Sequence, residues 1–127
     1  MKDKLTETIP SLPTFKFKRD DYMRHRGAPV MLYLTCAYCQ HYVMSYQKDG
    51  PGPLLRCYLD RIHHPAPLAE RQHMPFDKKT FPKLSCPACD SMIGHPVTYV
   101  KEKRPAYHMI KGSFCKSVLP TNRSSVG

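Results

Sequence analysis

Four of the six cysteines form two Cys-x-x-Cys pairs, Cys36 with Cys39 and Cys86 with Cys89. A pair with this spacing at a tight turn directs two sulfurs at one point, and two such pairs facing each other form the closed tetrahedral four-sulfur site that suits zinc. In small domains the binding free energy of such a site, on the order of 10 kcal/mol, is also folding free energy. The spacing therefore predicts one structural Zn²⁺ ion; iron would use the same four thiolates.

Four histidines are alternative metal ligands: His41, His63, His64 and His95. Because four thiolates already complete a tetrahedral shell, we leave the histidines out of it. The same complete shell argues against metal-assisted hydrolysis, which needs an open coordination position. Paired carboxylates, a phosphate-binding glycine loop and a Ser/His/Asp arrangement do not occur at recognisable spacing.

The two remaining cysteines have a simpler interpretation as packing residues. Cys57 alternates with Leu55 and Leu59, as expected for the buried face of a strand, so its side chain is predicted to point inward. Cys115 follows Phe114 in an apolar run. A free cysteine in such a setting behaves as a small apolar residue.

Short β-prone runs lead into both cysteine pairs, which predicts a mainly β fold. Alternation and β-propensity indicate strands over 14–18, 30–35, 41–47, 55–59, 83–85, 96–100, 106–110 and 113–118. The segment 48–53 is dense in Gly and Pro and predicts a turn, whereas 63–82 contains four prolines and predicts a long excursion between strands. We therefore expect antiparallel sheets held by a four-cysteine zinc site, with long loops.

The length of 127 residues suits one domain. We divide the chain into a partly ordered N-terminal leader over 1–29, a zinc-binding β domain over 30–118 and a flexible tail over 119–127. The segment of 46 residues between the cysteine pairs, 40–85, is longer than in a simple zinc ribbon, so a subdomain is inserted there.

The chain is basic, with a formal net charge of +10. Such a charge favours polyanionic partners, of which nucleic acid and acidic proteins are the candidates, but it does not choose between them. No apolar run approaches the roughly 20 residues that cross a bilayer, so we expect no membrane partner. The charged N-terminus lacks the apolar core of a secretion signal, which predicts a cytoplasmic protein without disulfides.

The second cysteine pair and the residues after it, Cys-Pro-Ala-Cys-Asp-Ser-Met-Ile-Gly-His over 86–95, resemble the second zinc knuckle of methionine-R-sulfoxide reductase B. Yippee-like proteins and the cereblon thalidomide-binding domain are similar in having two Cys-x-x-Cys pairs separated by a long insert. The segment from Tyr107 to Phe114 also resembles the Yippee C-terminal strand pair. The resemblance implies the zinc β-tent fold of these families, in which zinc joins two antiparallel sheets near one end.

Different functions follow from different members of this group. Yippee-like and cereblon-like relatives imply a noncatalytic, zinc-stabilised module that binds a peptide, a protein or a small molecule through an aromatic surface. The candidate aromatic residues are Tyr33, Tyr38, Tyr42, Tyr46, Tyr58, Tyr99 and Tyr107. This is our leading hypothesis.

The reductase implies a thiol oxidoreductase, with Cys115 as the nucleophile and Cys57 as the resolving cysteine. The chain departs from that family because it has no Trp, whereas the reductase substrate motif contains one.

A third hypothesis, nucleic-acid binding, uses the positive charge. Its candidate phosphate contacts are Arg56, Arg61, Lys78, Lys79, Lys101, Lys103 and Arg104, with exposed tyrosines stacking on bases.

Overall fold

A computed structural model describes residues 16–118, which form two four-stranded antiparallel sheets. The strands in chain order are β1 (Pro29–Cys36), β2 (Tyr42–Asp49), β3 (Arg56–Tyr58), β4 (Ile62–His64), β5 (Leu84–Ser85), β6 (Met92–Tyr99), β7 (Arg104–Met109) and β8 (Phe114–Val118). The first sheet has the order β4-β2-β1-β8 and the second β3-β7-β6-β5. The mainly β, antiparallel fold expected from the sequence is confirmed.

The helical segments are short and lie outside the sheets. Helix α1 (Asp21–Arg26) precedes β1 and begins at Asp20, whose side chain accepts a hydrogen bond from the backbone of Met23. Helix α2 (Ala66–Ala69) continues into a 3-10 turn (Glu70–His73), and another 3-10 turn (Leu59–Arg61) follows β3. No helix among residues 16–118 is long and apolar enough to cross a membrane.

The core lies between the facing sides of the two sheets. The first sheet contributes Leu34 and Met44, both fully buried, and the second contributes Ile93 and Tyr107, also fully buried. Complete burial of an aliphatic side chain contributes about 1.5–3 kcal/mol. Apolar pairing across the interface therefore supplies the main driving force for the two sheets to close on each other.

Most predicted strands are present, and the differences have local causes. The strand predicted over 55–59 shortens to Arg56–Tyr58, because Leu55 is 55% exposed and the chain enters a 3-10 turn at Leu59. The predicted excursion 63–82 contains part of β4 as well as α2 and its 3-10 turn. Residues 16–18 of the strand predicted over 14–18 have no regular structure, and 14–15 lie outside the described residues, as do the rest of the leader before residue 16 and the tail 119–127.

Each sheet contains one cysteine pair at the turn of a hairpin. Cys36 and Cys39 lie between β1 and β2, and Cys86 and Cys89 lie between β5 and β6. We call this the cysteine end of the molecule. Strands β2 and β6 run away from it for eight residues each, about 25 Å, so Asp49 and the β6–β7 turn lie at the other end.

Candidate metal centre and inter-sheet groove

The four cysteines of the two pairs converge on one point. Cys36 Sγ lies 3.6 Å from Cys89 Sγ, and Cys39 Sγ lies 3.5 Å from Cys86 Sγ. All four sulfurs lie within 4.8 Å of one another. Four sulfurs at about 2.3 Å from a zinc ion at tetrahedral angles would be separated by about 3.8 Å, so the observed cluster fits a four-thiolate metal site.

The two turns that carry these cysteines have the same backbone conformation. In the first turn the Cys36 N–H donates to the His41 carbonyl at 2.9 Å, and in the second the Cys86 N–H donates to the Ser91 carbonyl at 2.9 Å. Gln40 and Asp90, each one residue after the second cysteine of its pair, both have positive φ, 64° and 65°. A non-glycine residue at positive φ is uncommon, so the repeated conformation marks two matched cysteine turns, which we call knuckles.

Backbone amides of each knuckle point at its first sulfur. The Tyr38 N–H donates to Cys36 Sγ at 3.4 Å and the Ala88 N–H donates to Cys86 Sγ at 3.3 Å. In both knuckles these N–H groups would donate to a sulfur that holds a metal and so orient it. The first cysteine of each pair is buried and the second is exposed, so each pair has one thiol inside the fold and one at its surface.

The two exposed thiols differ in acidity. Hydrogen bonds from the side chain and the backbone of Ser91 lower the pKa of Cys89 to about 6. The pKa of Cys39 is raised to about 12: the backbone hydrogen bond from His41 lowers it, but desolvation and the neighbouring thiols outweigh that effect. Four thiols packed together cannot all ionise without a cation, so a bound divalent ion would displace the remaining protons.

The four-cysteine cluster contains no histidine among the described residues. His95 and His108 instead lie opposite each other on the second sheet, with ring centroids 5.2 Å apart. The Nε2 atom of His63 lies 3.0 Å from the Gln47 side-chain oxygen, and the Nδ1 atom of His64 lies 3.0 Å from the Tyr42 hydroxyl.

The two remaining cysteines have opposite environments. Cys57 is fully buried, as predicted from its alternation, and burial raises its pKa well above the ordinary thiol value. Cys115 is exposed on β8. A thiol that is both inaccessible and difficult to ionise is a poor resolving cysteine. This geometry does not favour the oxidoreductase hypothesis.

Most of the tyrosines proposed for an aromatic surface are core residues. Tyr42, Tyr46, Tyr58 and Tyr107 are at most 7% exposed, and the hydroxyl of Tyr107 donates to the Pro82 carbonyl at 2.6 Å. Tyr33 and Tyr99 are partly buried, and Tyr38 is exposed. The predicted set therefore does not form one aromatic binding surface, because β-strand tyrosines bury their rings between the sheets.

Two of the predicted phosphate contacts are also buried. Arg61 is 1% exposed and donates to Asp49 at 2.8 Å and to Asp20 at 2.6 Å. Arg104 is 4% exposed, donates to Asp60 at 2.8 Å and stacks between the rings of Tyr22 and Tyr58. Their assignment as phosphate contacts is wrong, since both guanidinium groups already pair with carboxylates inside the fold.

These buried arginines form an ion-pair network that we call the arginine end. Its members are Asp20, Arg26, Asp49, Asp60, Arg61, Glu102 and Arg104. Burial alone would lower the pKa of Arg61, but the hydrogen bonds to Asp20 and Asp49 raise it above the usual arginine value. The network joins the first sheet through Asp49, the second through Arg104 and the residue before α1 through Asp20. Sequence reasoning missed it, because nothing in the pattern distinguishes a buried arginine from a solvated one.

An open groove lies between β8 of the first sheet and the loop before β3. It has a volume of about 660 Å³ and is lined by Pro53, Leu54, Leu55, Met109, Lys111, Gly112, Phe114 and Lys116. A smaller pocket of about 100 Å³ shares Pro53, Leu54 and Leu55 with it, and adds the cationic side chains of Arg26, Lys48 and Arg56. The two cavities therefore share this loop as a wall.

The loop that forms their common wall is fixed against the segment after α1. The Gly50 N–H donates to the Ala28 carbonyl at 3.1 Å, and Gly50 has a φ of 82°. A Cβ atom at Gly50 would lie only 2.1 Å from the Arg26 carbonyl oxygen, so this close approach requires glycine. The wall is thus a positioned part of the fold.

No protein-family model, curated protein or solved structure matches this chain. Its function is therefore argued from the cysteine cluster and the groove.

Proposed function

We propose that this chain is a zinc-stabilised, noncatalytic binding module of the β-tent type, which recognises its ligand in the groove between the two sheets. The observation that carries the proposal is the cluster of four sulfurs within 4.8 Å, to which each sheet contributes one hairpin turn. Cys36, Cys39, Cys86 and Cys89 would hold one Zn²⁺ ion in a complete tetrahedral shell, which supports a structural role for the metal.

The sheets provide a second argument for a structural metal. Only 103 residues, 16–118, form the described fold, and the two sheets share no strand. A domain of this size has a free energy of unfolding of about 5–15 kcal/mol. A metal that contributes on the order of 10 kcal/mol between the sheets would therefore determine whether they stay together.

The binding role rests on the groove. Its walls combine the apolar side chains of Leu55, Met109 and Phe114 with the cations of Lys111 and Lys116. A concave surface of apolar residues with a few polar groups is the usual form of a ligand site. The environment of Cys57, buried and with a raised pKa, supports binding over thiol redox chemistry.

The test is elemental analysis of the purified protein together with two variants. We expect one zinc per chain in the wild type and in Cys115→Ser, whose exposed thiol lies outside the cluster. We expect none in Cys86→Ser/Cys89→Ser, which should also lose the folded state in a thermal melt. A wild type that is folded and free of metal would overturn the proposal, and iron in place of zinc would correct the identity of the ion.

A further inference from the structure

The strand β8 forms an edge of the first sheet and a wall of the groove at the same time. Its neighbour on one side is β1, with Leu34 opposite Lys116 and Cys36 opposite Phe114. On its other side no strand pairs with it within residues 16–118. An unpaired strand edge presents a row of backbone donors and acceptors that can pair with another chain.

The hydrogen-bond pattern indicates which backbone groups are free. The Ala37 N–H donates to the Ser113 carbonyl at 3.0 Å, so these two residues, which continue the register of β1 and β8, form a hydrogen-bonded pair through this one bond. The Ser113 N–H donates instead to the Ile110 carbonyl at 3.1 Å. Because such pairs alternate with non-hydrogen-bonded ones, the N–H and C=O groups of Phe114, Lys116 and Val118 point away from β1. The free edge therefore offers donors and acceptors at every second residue.

The side chains of two of these three residues face the groove. Phe114 and Lys116 both line it, as expected for residues two apart on one face of a strand. Val118 is 62% exposed and Leu55, on the opposite wall, is 55% exposed. A strand added beside β8 would thus place every second side chain against apolar surface that is open to solvent.

The charges around the groove are almost all positive. The groove and its adjoining pocket are lined by five cationic side chains: Arg26, Lys48, Arg56, Lys111 and Lys116. The one carboxylate in the lining belongs to Asp49, which already accepts hydrogen bonds from Arg61 and Gln47.

Four of these cations, Lys48, Arg56, Lys111 and Lys116, have no ion pair among the described residues, whereas Arg26 pairs with Glu102 at 2.8 Å. The pKa of Lys48 is lowered by burial and by repulsion from Lys116 and Arg26. The Nε atom of Arg26 is buried without a hydrogen-bond partner among the described residues. An anionic ligand would relieve this repulsion, because opposite charges brought together in a partly desolvated site attract strongly.

We infer that the free edge of β8 is a docking site for an extended acidic peptide of a partner protein, which adds to the first sheet as a fifth strand. The inference rests on the binding role proposed above and names its ligand class. The ladder would fix the peptide backbone, the groove would take its apolar side chains, and the cations would pair with its acidic residues. The net charge of +10 argues against a second copy of this chain as the occupant.

Nucleic acid is the competing polyanion. Bases bind single-strand sites mainly by stacking on aromatic rings. Phe114 is the one aromatic side chain in the lining of the groove, and the two in the adjoining pocket, Tyr46 and Tyr58, are buried. Aliphatic walls beside a strand edge fit a peptide better.

The test uses fluorescence anisotropy with a labelled peptide of about eight residues, one strand long, that alternates Glu or Asp with Val or Leu. We expect saturable binding that weakens as salt rises. The same peptide with N-methyl groups at alternate residues should lose this binding, because it cannot complete the ladder. Equal binding of the methylated peptide, or no binding of either peptide, would overturn the inference.

Charge reversal locates the site. Lys111→Glu/Lys116→Glu should weaken binding by at least about tenfold, whereas Lys101→Glu/Lys103→Glu, the same change at the exposed turn between β6 and β7, should weaken it much less. Equal losses would show a non-specific charge effect. If a single-stranded oligonucleotide of similar length binds more tightly than the peptide and displaces it, the ligand class is nucleic acid and the peptide inference is overturned.

Amide hydrogen exchange supplies a readout that does not depend on any variant. Peptide binding should slow exchange at Phe114 and Lys116, whose N–H groups point outward, and change Cys115 and Ser117 little, because their N–H groups already pair with β1. Zinc content measured on the same sample separates the two proposals. A folded, zinc-loaded protein that does not bind the peptide overturns the docking inference and leaves the proposed zinc site standing.

Discussion

The two ends of this molecule hold the same pair of sheets together by different means. At the cysteine end, four thiols from two hairpin turns converge on one point, where a bound cation would hold them together. At the arginine end, Arg61 and Arg104 reach carboxylates from three parts of the chain, so attraction and countercharge are both encoded. A metal at the cysteine end would stabilise the contact between the sheets more strongly but could be removed, whereas the ion pairs of the arginine end belong to the chain itself.

The two ends also differ in the energetic cost of bringing their groups together. Without a cation the cysteine cluster keeps protons between its sulfurs, as the raised pKa of Cys39 indicates. In the arginine network, desolvation offsets much of the Coulombic gain, so the network is worth less than its number of contacts suggests. We therefore expect stability to depend first on metal and only then on charge pairing.

Removal of the metal should lower the stability of the fold more than any change at the arginine end. A strong zinc chelator at neutral pH should unfold the protein, because the lost binding free energy, on the order of 10 kcal/mol, matches the whole stability of a small domain. Far-ultraviolet circular dichroism and a thermal melt measure the loss, and added zinc should restore the signal. A protein whose melting curve does not change after its metal has been removed would show that the arginine end and the core suffice.

Breaking the arginine end should cost less. Arg61→Met leaves the carboxylate of Asp49, 4% exposed, without its guanidinium, and removing one partner of a buried pair costs about 3–5 kcal/mol. The matched control is Arg24→Met, because Arg24 forms an ion pair with Asp21 in which both side chains are largely exposed. Urea unfolding of zinc-loaded protein measures both. Similar midpoints for the two variants would contradict a structural role for Arg61.

Acid should weaken the arginine end by a smaller amount. Burial would raise the pKa of Asp20, but hydrogen bonds from Arg61 and the Met23 backbone lower it below the ordinary value of 3.8. Burial would also raise the pKa of Glu102, but Arg104 and Arg26 lower it below the ordinary value of 4.5. A carboxylate with a depressed folded-state pKa stabilises the fold above its unfolded pKa, and this stability is lost as the pH falls through the folded value. The loss of stability therefore begins near pH 4.5 and continues as the pH falls further.

The matched variant for this window is Asp20→Asn/Glu102→Gln, in which Asn can still cap α1. At pH 6 the wild type should be more stable by about 1 kcal/mol or less for each partly exposed pair. This advantage should shrink below pH 4.5 in urea midpoints, while acid release of metal affects both proteins alike. A constant difference at all pH values would show that the two carboxylates do not carry the effect.

Local sequence was sufficient for the strands and the cysteine site. The runs before Cys36 and Cys86 are β-prone, and Cys-x-x-Cys spacing restricts two sulfurs to one turn, so both could be predicted without knowledge of distant residues. The turn at 50–53 was equally local, since Gly and Pro dictate the backbone there, although β2 continues through 48–49, the first two residues of the predicted turn. The inward side chain of Cys57 followed from strand periodicity.

Burial of polar and aromatic side chains was decided only in three dimensions. An arginine such as Arg61 has the same local pattern as one in solvent, and it becomes a core residue only when Asp20 and Asp49, distant in sequence, fold against it. Most of the predicted tyrosine surface is absent for the same reason, because packing within the fold buries four of the seven rings. The groove and the free edge of β8 likewise exist only once the strand order is set. The local sequence determined the strands and the two cysteine pairs, while long-range packing decided which charged side chains are exposed to solvent.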